Sequence, residues 1–247
     1  MEYLVKMCGL TQERDVEAAI LNGANWLGFI IECPSPRALS IEKATHLAKP
    51  PQGLLKRVAV TVNASDILLA KICTLMQPDM LQLHGDESVQ KCAEIKAFTG
   101  LPIIKALPIR TSQDLQRTKL YEDTVDFLLL DAKPPKGSTQ RGGHGLTFDW
   151  TILDEFNPPI PYILAGGLTP DNIQAALNNT NAKIFDVASG IEASAGVKDH
   201  ALMAQFMKSL HMTKNTERKN TTRGAEDLRP TGNVSRGAEG VSPTGNV

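Results

Sequence analysis

No uninterrupted apolar run of about 18 residues occurs in this chain, so no segment reads as a membrane-spanning helix. Nor does a basic stretch followed by a long apolar run open it, which excludes the pattern of an export signal. An excess of charge is missing too. Lys plus Arg number 26 against 27 for Asp plus Glu among 247 residues, leaving no electrostatic footprint for nucleic acid or an anionic membrane. Paired cysteines are the third absence. The four thiols, Cys8, Cys33, Cys73 and Cys92, stand far apart, which argues against a disulfide framework and against a zinc site. A cytoplasmic protein acting on a small molecule, without nucleic acid, membrane or metal, is the expectation these absences leave.

What is present is alternation. Short apolar runs at 3–7, 26–30, 56–62, 80–83, 103–106, 127–130, 162–165 and 184–187 read as eight strands. Between them apolar residues recur at helical spacing, as in Val16, Ala19 and Ile20, or Leu68, Ile72, Leu75 and Met76, or Ile173, Ala176 and Leu177. These are packing faces. Thr11, Ser40, Ser65, Asp149 and Thr169 signal helix starts, with Pro170 suited to a first turn. Parallel strands need crossover helices, and eight strands complete a cylinder of about 250 residues, so residues 1–210 are expected to form a single (β/α)8 TIM barrel. An open doubly wound sheet is the runner-up. Residues 211–247 are polar and nearly empty of large apolar side chains, which predicts a disordered tail. Within it Arg223-Gly224-Ala225-Glu226 returns as Arg236-Gly237-Ala238-Glu239, and Pro230-Thr231-Gly232-Asn233-Val234 as Pro243-Thr244-Gly245-Asn246-Val247. Two apolar-poor copies cannot stack as a solenoid.

Barrels of this kind build their sites from residues at the C-terminal ends of the strands. The first strand ends in Cys8, with Lys6 two residues earlier on the same side, where a cation favours thiolate. A lone thiol is otherwise a small buried hydrophobe. The second strand leads through Cys33-Pro34-Ser35-Pro36 to Arg37, a fork for carboxylate or phosphate or else a solvated surface arginine. Gln82-Leu83-His84-Gly85 sets His84 at the rim with Gln82 on the same side. Asp131 follows four apolar residues, a carboxylate either hydrogen-bonded for structure or poised for proton transfer. The connection 132–147, with Gly142-Gly143-His144-Gly145, has the length of a lid. Gly166-Gly167 after the seventh strand and Ser189-Gly190 after the eighth offer main-chain amides where barrels often hold a phosphate. The residues alone thus describe a barrel for a phosphorylated small molecule with a thiol and a carboxylate on its rim, and leave the reaction open.

Lys6-Met7-Cys8-Gly9-Leu10-Thr11, Ser35-Pro36-Arg37, Gln82-Leu83-His84-Gly85, Leu130-Asp131, Gly143-x-Gly145 to Phe148-Asp149-Trp150, Leu164-Ala165-Gly166-Gly167-Leu168, and Asp186 to Gly190 followed by Gly196-Val197-Lys198-Asp199 together resemble the phosphoribosylanthranilate isomerases of tryptophan biosynthesis. The likeness runs in order over residues 2–210. It implies an Amadori rearrangement of N-(5-phosphoribosyl)anthranilate to 1-(2-carboxyphenylamino)-1-deoxyribulose 5-phosphate, without cofactor, in a monomer or homodimer. Under it Asp131 is the general acid and Cys8 the general base. Arg37 holds the anthranilate carboxylate, His84 belongs to the substrate site, and Gly166, Gly167, Ser189 and Gly190 hold the phosphate.

Ala188 stands where many members carry Ser or Asn, which costs one phosphate contact, and Ala195 replaces a frequent proline. His144 fills a variable lid position. Other readings are a further ribose-phosphate isomerase barrel, such as the histidine-pathway aminoaldose isomerase, and a non-catalytic phosphate-binding barrel. The first would place aspartates at both strand ends, where this chain has Cys8; the second has no need of Cys8 with Asp131. A fragment of a fusion with indoleglycerol phosphate synthase is a third, and 247 residues leave no room for the second barrel.

Overall fold

A parallel strand covered on both faces must be apolar almost throughout, and segments such as Trp-Leu-Gly-Phe-Ile-Ile at Trp26–Ile31 meet that demand. The computed structural model describes residues 3–49, 55–132, 145 and 147–223. Among them are eight parallel strands, numbered in chain order: β1 Leu4–Cys8, β2 Trp26–Ile31, β3 Lys56–Thr61, β4 Met80–Leu83, β5 Ile103–Ile109, β6 Phe127–Ala132, β7 Tyr162–Leu164 and β8 Ile184–Val187. Each pairs with the next. β1 also pairs with β8, Leu4 opposite Ile184 and Lys6 opposite Asp186, while its other edge sets Cys8 opposite Gly28 of β2. The sheet therefore closes on itself, as the sequence led us to expect, and the open doubly wound alternative is excluded.

Alternation along each strand separates two apolar layers. Val58, Val60, Ile104, Ala106, Leu129 and Ile163 fill the interior, while Val5, Leu27, Leu81, Leu128 and Phe185 belong to the layer between strands and helices. Trp26 and Phe127, at the starts of β2 and β6, meet edge to face with ring centres 5.4 Å apart. Both rings belong to the interior layer at the N-terminal ends of the strands.

Local signals held unevenly. Ser40 and Ser65 cap the helices Ile41–Leu47 and Asp66–Lys71, and Asp149 caps the short turn Trp150–Leu153. Thr11 does not cap: the helix Glu13–Leu21 starts after Gln12, and the Thr11 hydroxyl donates to the Gly196 carbonyl instead. Thr169 is also early, because it and Asn172 exchange side-chain and backbone hydrogen bonds that delay the helix to Ile173–Asn179. Leu75 is exposed although its spacing matches the packed face, since Ile72–Met76 winds as a π-helix and shifts the face. The last helix, His200–Arg223, buries Met203, Phe206, Met207 and Leu210 and continues beyond the 210 boundary drawn from composition. The contacts divide the chain after His211. Apart from Arg223 the duplicated stretches lie outside the described residues. No helix among those residues is long and apolar enough to cross a membrane.

Candidate active site

The C-terminal ends of the strands surround a cavity of about 290 Å³, lined by Cys8, Arg37, His84, Asp131, Gly166, Gly167 and Ser189. That is room for a small organic molecule rather than a lone ion. Residues as far apart in sequence as Cys8 and Ser189 meet there because each barrel strand delivers its last side chains to the same rim.

On one side Cys8 stands beside a buried ion pair. Lys6, with none of its surface exposed, donates to Asp186 Oδ1 at 2.9 Å across the β1–β8 seam. Burial alone would lower the Lys6 ammonium, but Asp186 and Cys8 hold it above the ordinary lysine range. Burial pushes the Cys8 thiol up, and the Asp186 carboxylate adds to this against the pull of Lys6. The cation beside the sulfur is present as expected. Desolvation outweighs it, so the resting group is a thiol.

Facing it is a relay of three side chains. Gln82 Nε2 lies 2.9 Å from His84 Nδ1, and His84 Nε2 lies 3.2 Å from Asp131 Oδ2. Gly166 makes this corner possible. Its φ is +81°, and a Cβ there would sit 2.4 Å from the Ala132 amide nitrogen and 3.0 Å from Asp131 Oδ1. The loop after His84 is held from below by Lys105, whose ammonium meets Gly85 O at 2.8 Å and Glu87 Oε2 at 2.7 Å.

Arg37 is not a solvated surface residue. It is buried, and its Nε and one terminal nitrogen form a two-pronged pair with Glu192 at 2.8 and 2.7 Å. Lys198 meets the same carboxylate at 2.8 Å and Ala188 O at 2.9 Å. Burial would raise Glu192, but hydrogen bonds from Arg37 and Lys198 hold its carboxyl below the usual range. Burial lowers the Lys198 ammonium despite Glu192, and Arg37 is the basic side chain that lines the cavity here.

The cavity gathers seven of the eight residues singled out from the sequence. Gly190 is the exception. A Cβ on it would approach Leu168 O to 1.8 Å, so it holds the loops after β7 and β8 together rather than facing the cavity. Sequence reading missed Glu192 as the partner of Arg37, which lies 155 positions away, and no local signal could have shown it. The pairing of Lys6 with Asp186 was also unread. Lys133, Pro134, Pro135, Gly142, Gly143 and His144, in the connection whose length led to the expectation of a lid, lie outside the described residues.

Comparison with known proteins places the chain among related sequences and structures. The profile of the family described as N-(5'phosphoribosyl)anthranilate (PRA) isomerase matches residues 5–209. A chain from Rhizobium meliloti (strain 1021), an N-(5'-phosphoribosyl)anthranilate isomerase, is 44% identical over 210 residues, covering 85% of this chain and 98% of its own. A phosphoribosyl anthranilate isomerase solved in complex with reduced 1-(o-carboxyphenylamino)-1-deoxyribulose 5-phosphate superposes with TM-score 0.72 at 28% identity over 85% of this chain and 99% of its own. Monomers generated from the dimeric phosphoribosylanthranilate isomerase of Thermotoga maritima give 0.71 and 29%, with the same coverage of both chains.

Proposed function

The chain belongs to the N-(5'-phosphoribosyl)anthranilate isomerase family, an enzyme of tryptophan biosynthesis, and from that premise we propose how its residues divide the work. Asp131, in its protonated form, gives its proton to the ribose ring oxygen. The bond from that oxygen to the aminated carbon breaks, leaving an open-chain cationic Schiff base and a carboxylate at Asp131. The new positive charge lies toward Cys8 and favours the thiolate that burial resists. Once its own proton has passed to solvent, the Cys8 thiolate takes the proton from the adjacent carbon and becomes a thiol again; the C–H electron pair forms a carbon–carbon double bond, the C=N pair moves to the nitrogen, and the enolamine tautomerises to the ketone. Both steps are proton transfers made by side chains alone.

Arg37, oriented by Glu192, offers its remaining N–H edge to the anthranilate carboxylate. The amides of Gly166, Gly167 and Ser189 take the phosphate, with Gly190 keeping their loops in register. Every residue invoked comes from one chain, so a monomer or a homodimer serves equally, and the cytoplasm is the compartment we assign.

One observation carries this reading: a thiol on β1 and a carboxylate on β6 face a single cavity beside two loops suited to phosphate. The test is direct. Purified protein added to freshly formed phosphoribosylanthranilate should quench its anthranilate-type fluorescence at a rate proportional to protein. A decay indistinguishable from the spontaneous one would overturn the reading.

A further inference from the structure

Gln82 lines the cavity beside His84. It is 1% exposed, and its Oε1 has no hydrogen-bond partner among the described residues. Its strand neighbours Met80, Leu81 and Leu83 are buried and apolar. A side chain serving packing alone would be apolar here too, since a buried carbonyl oxygen without a partner costs stability. The other end of the amide is therefore where its use lies.

That end is the N–H aimed at His84 Nδ1 across 2.9 Å. An amide N–H can only donate, so Nδ1 must be the accepting nitrogen. The single proton of neutral imidazole is then on Nε2, which faces Asp131 Oδ2 at 3.2 Å. We infer that Gln82 is a positioning residue that fixes the His84 tautomer so that Nε2–H meets the carboxyl of Asp131. The inference rests on the reading of Asp131 as the ring-opening acid. Asp131 passes its proton to the ring oxygen, the carbon–oxygen bond breaks with its electron pair going to that oxygen, and the carboxylate remains. His84 releases nothing. Its N–H bond to Oδ2 tightens as that oxygen turns from neutral to anionic, so the interaction grows during the step it assists. The opposite tautomer would set a lone pair against the new carboxylate.

The experiment has two arms. Two-bond 15N–1H correlation of the histidine ring in the wild-type protein should report His84 as the Nε2–H tautomer, and in Gln82→Glu, whose carboxylate accepts, the proton should move to Nδ1. Kinetically, Gln82→Met should lower kcat about tenfold or more while KM stays within about twofold, as expected when an interaction made in the transition state is lost. In an Asp131→Asn background the same substitution should cost nothing further. An Nδ1–H tautomer in the wild type, or a kcat for Gln82→Met within about twofold of wild type, overturns the inference. It does so while an inactive Asp131→Asn leaves the acid assignment standing. An active Asp131→Asn would instead remove the assignment on which the inference depends. The wild-type spectrum needs no variant to fold.

Discussion

At the scale of single residues the proposed reaction sets two opposed demands on Cys8, a thiolate for the chemistry in surroundings that favour thiol. Cys8→Ser should reduce kcat to below about a hundredth, because a hydroxyl is a far weaker base. Turnover above about a tenth would remove Cys8 from the chemistry. Its raised thiol value also appears in stability. Below about pH 8.5 folded and unfolded chains both hold the proton; above it the unfolded chain releases it first, so stability falls as pH rises toward the folded value. Urea unfolding of wild type and Cys8→Ala at pH 7.5 and 9.5 should show the steeper loss in the wild type. Equal losses would mean that the buried thiol does not titrate as its surroundings dictate. Cys8, Asp131 and His84 were legible in the sequence because each ends or follows an apolar run. Glu192 was not, because what defines it is a partner on another loop.

At the scale of elements, two glycines that look equivalent in sequence do different things. Gly166 packs against Asp131, so Gly166→Ala, displacing Ala132 and Asp131, should act mainly on kcat if Asp131 is the acid proposed above. Gly190 locks the loops after β7 and β8, so, with phosphate held there as proposed, Gly190→Val should raise KM several-fold and weaken competition by inorganic phosphate. Steady-state kinetics separate the two. Identical effects on kcat and KM in both variants would show that the loops act as one unit. Most strands were read to within a residue because their apolar runs are short and bounded, although the fifth runs on to Ile109 and the sixth to Ala132, whereas helix starts at Thr11 and Thr169 were misplaced where a tertiary or reciprocal hydrogen bond captured the cap. The π turn at Ile72–Met76 has no signature in a periodic pattern.

For the molecule as a whole, eight strand–helix repeats forecast a closed barrel, and closure through β1 and β8 bears this out. The buried side chains of the last helix end at Leu210 among those described. Truncation after His211 should therefore leave kcat/KM unchanged and the melting temperature within about 2 °C. A loss of more than about 3 °C, on the order of 1 kcal/mol in a domain of this size, would assign residues 212–247 a part in stability. The β1–β8 seam carries a further consequence for biosynthesis of the chain. Until β8 leaves the ribosome, β1 keeps a bare strand edge, Lys6 lacks Asp186, and Cys8 has neither its neighbouring carboxylate nor the Ser189 loop. Cys8 is made among the first residues, and the ion pair beside it spans 180 positions. A ribosome-bound nascent chain ending before Ile184 should therefore hold its thiol open to alkylation while showing no turnover.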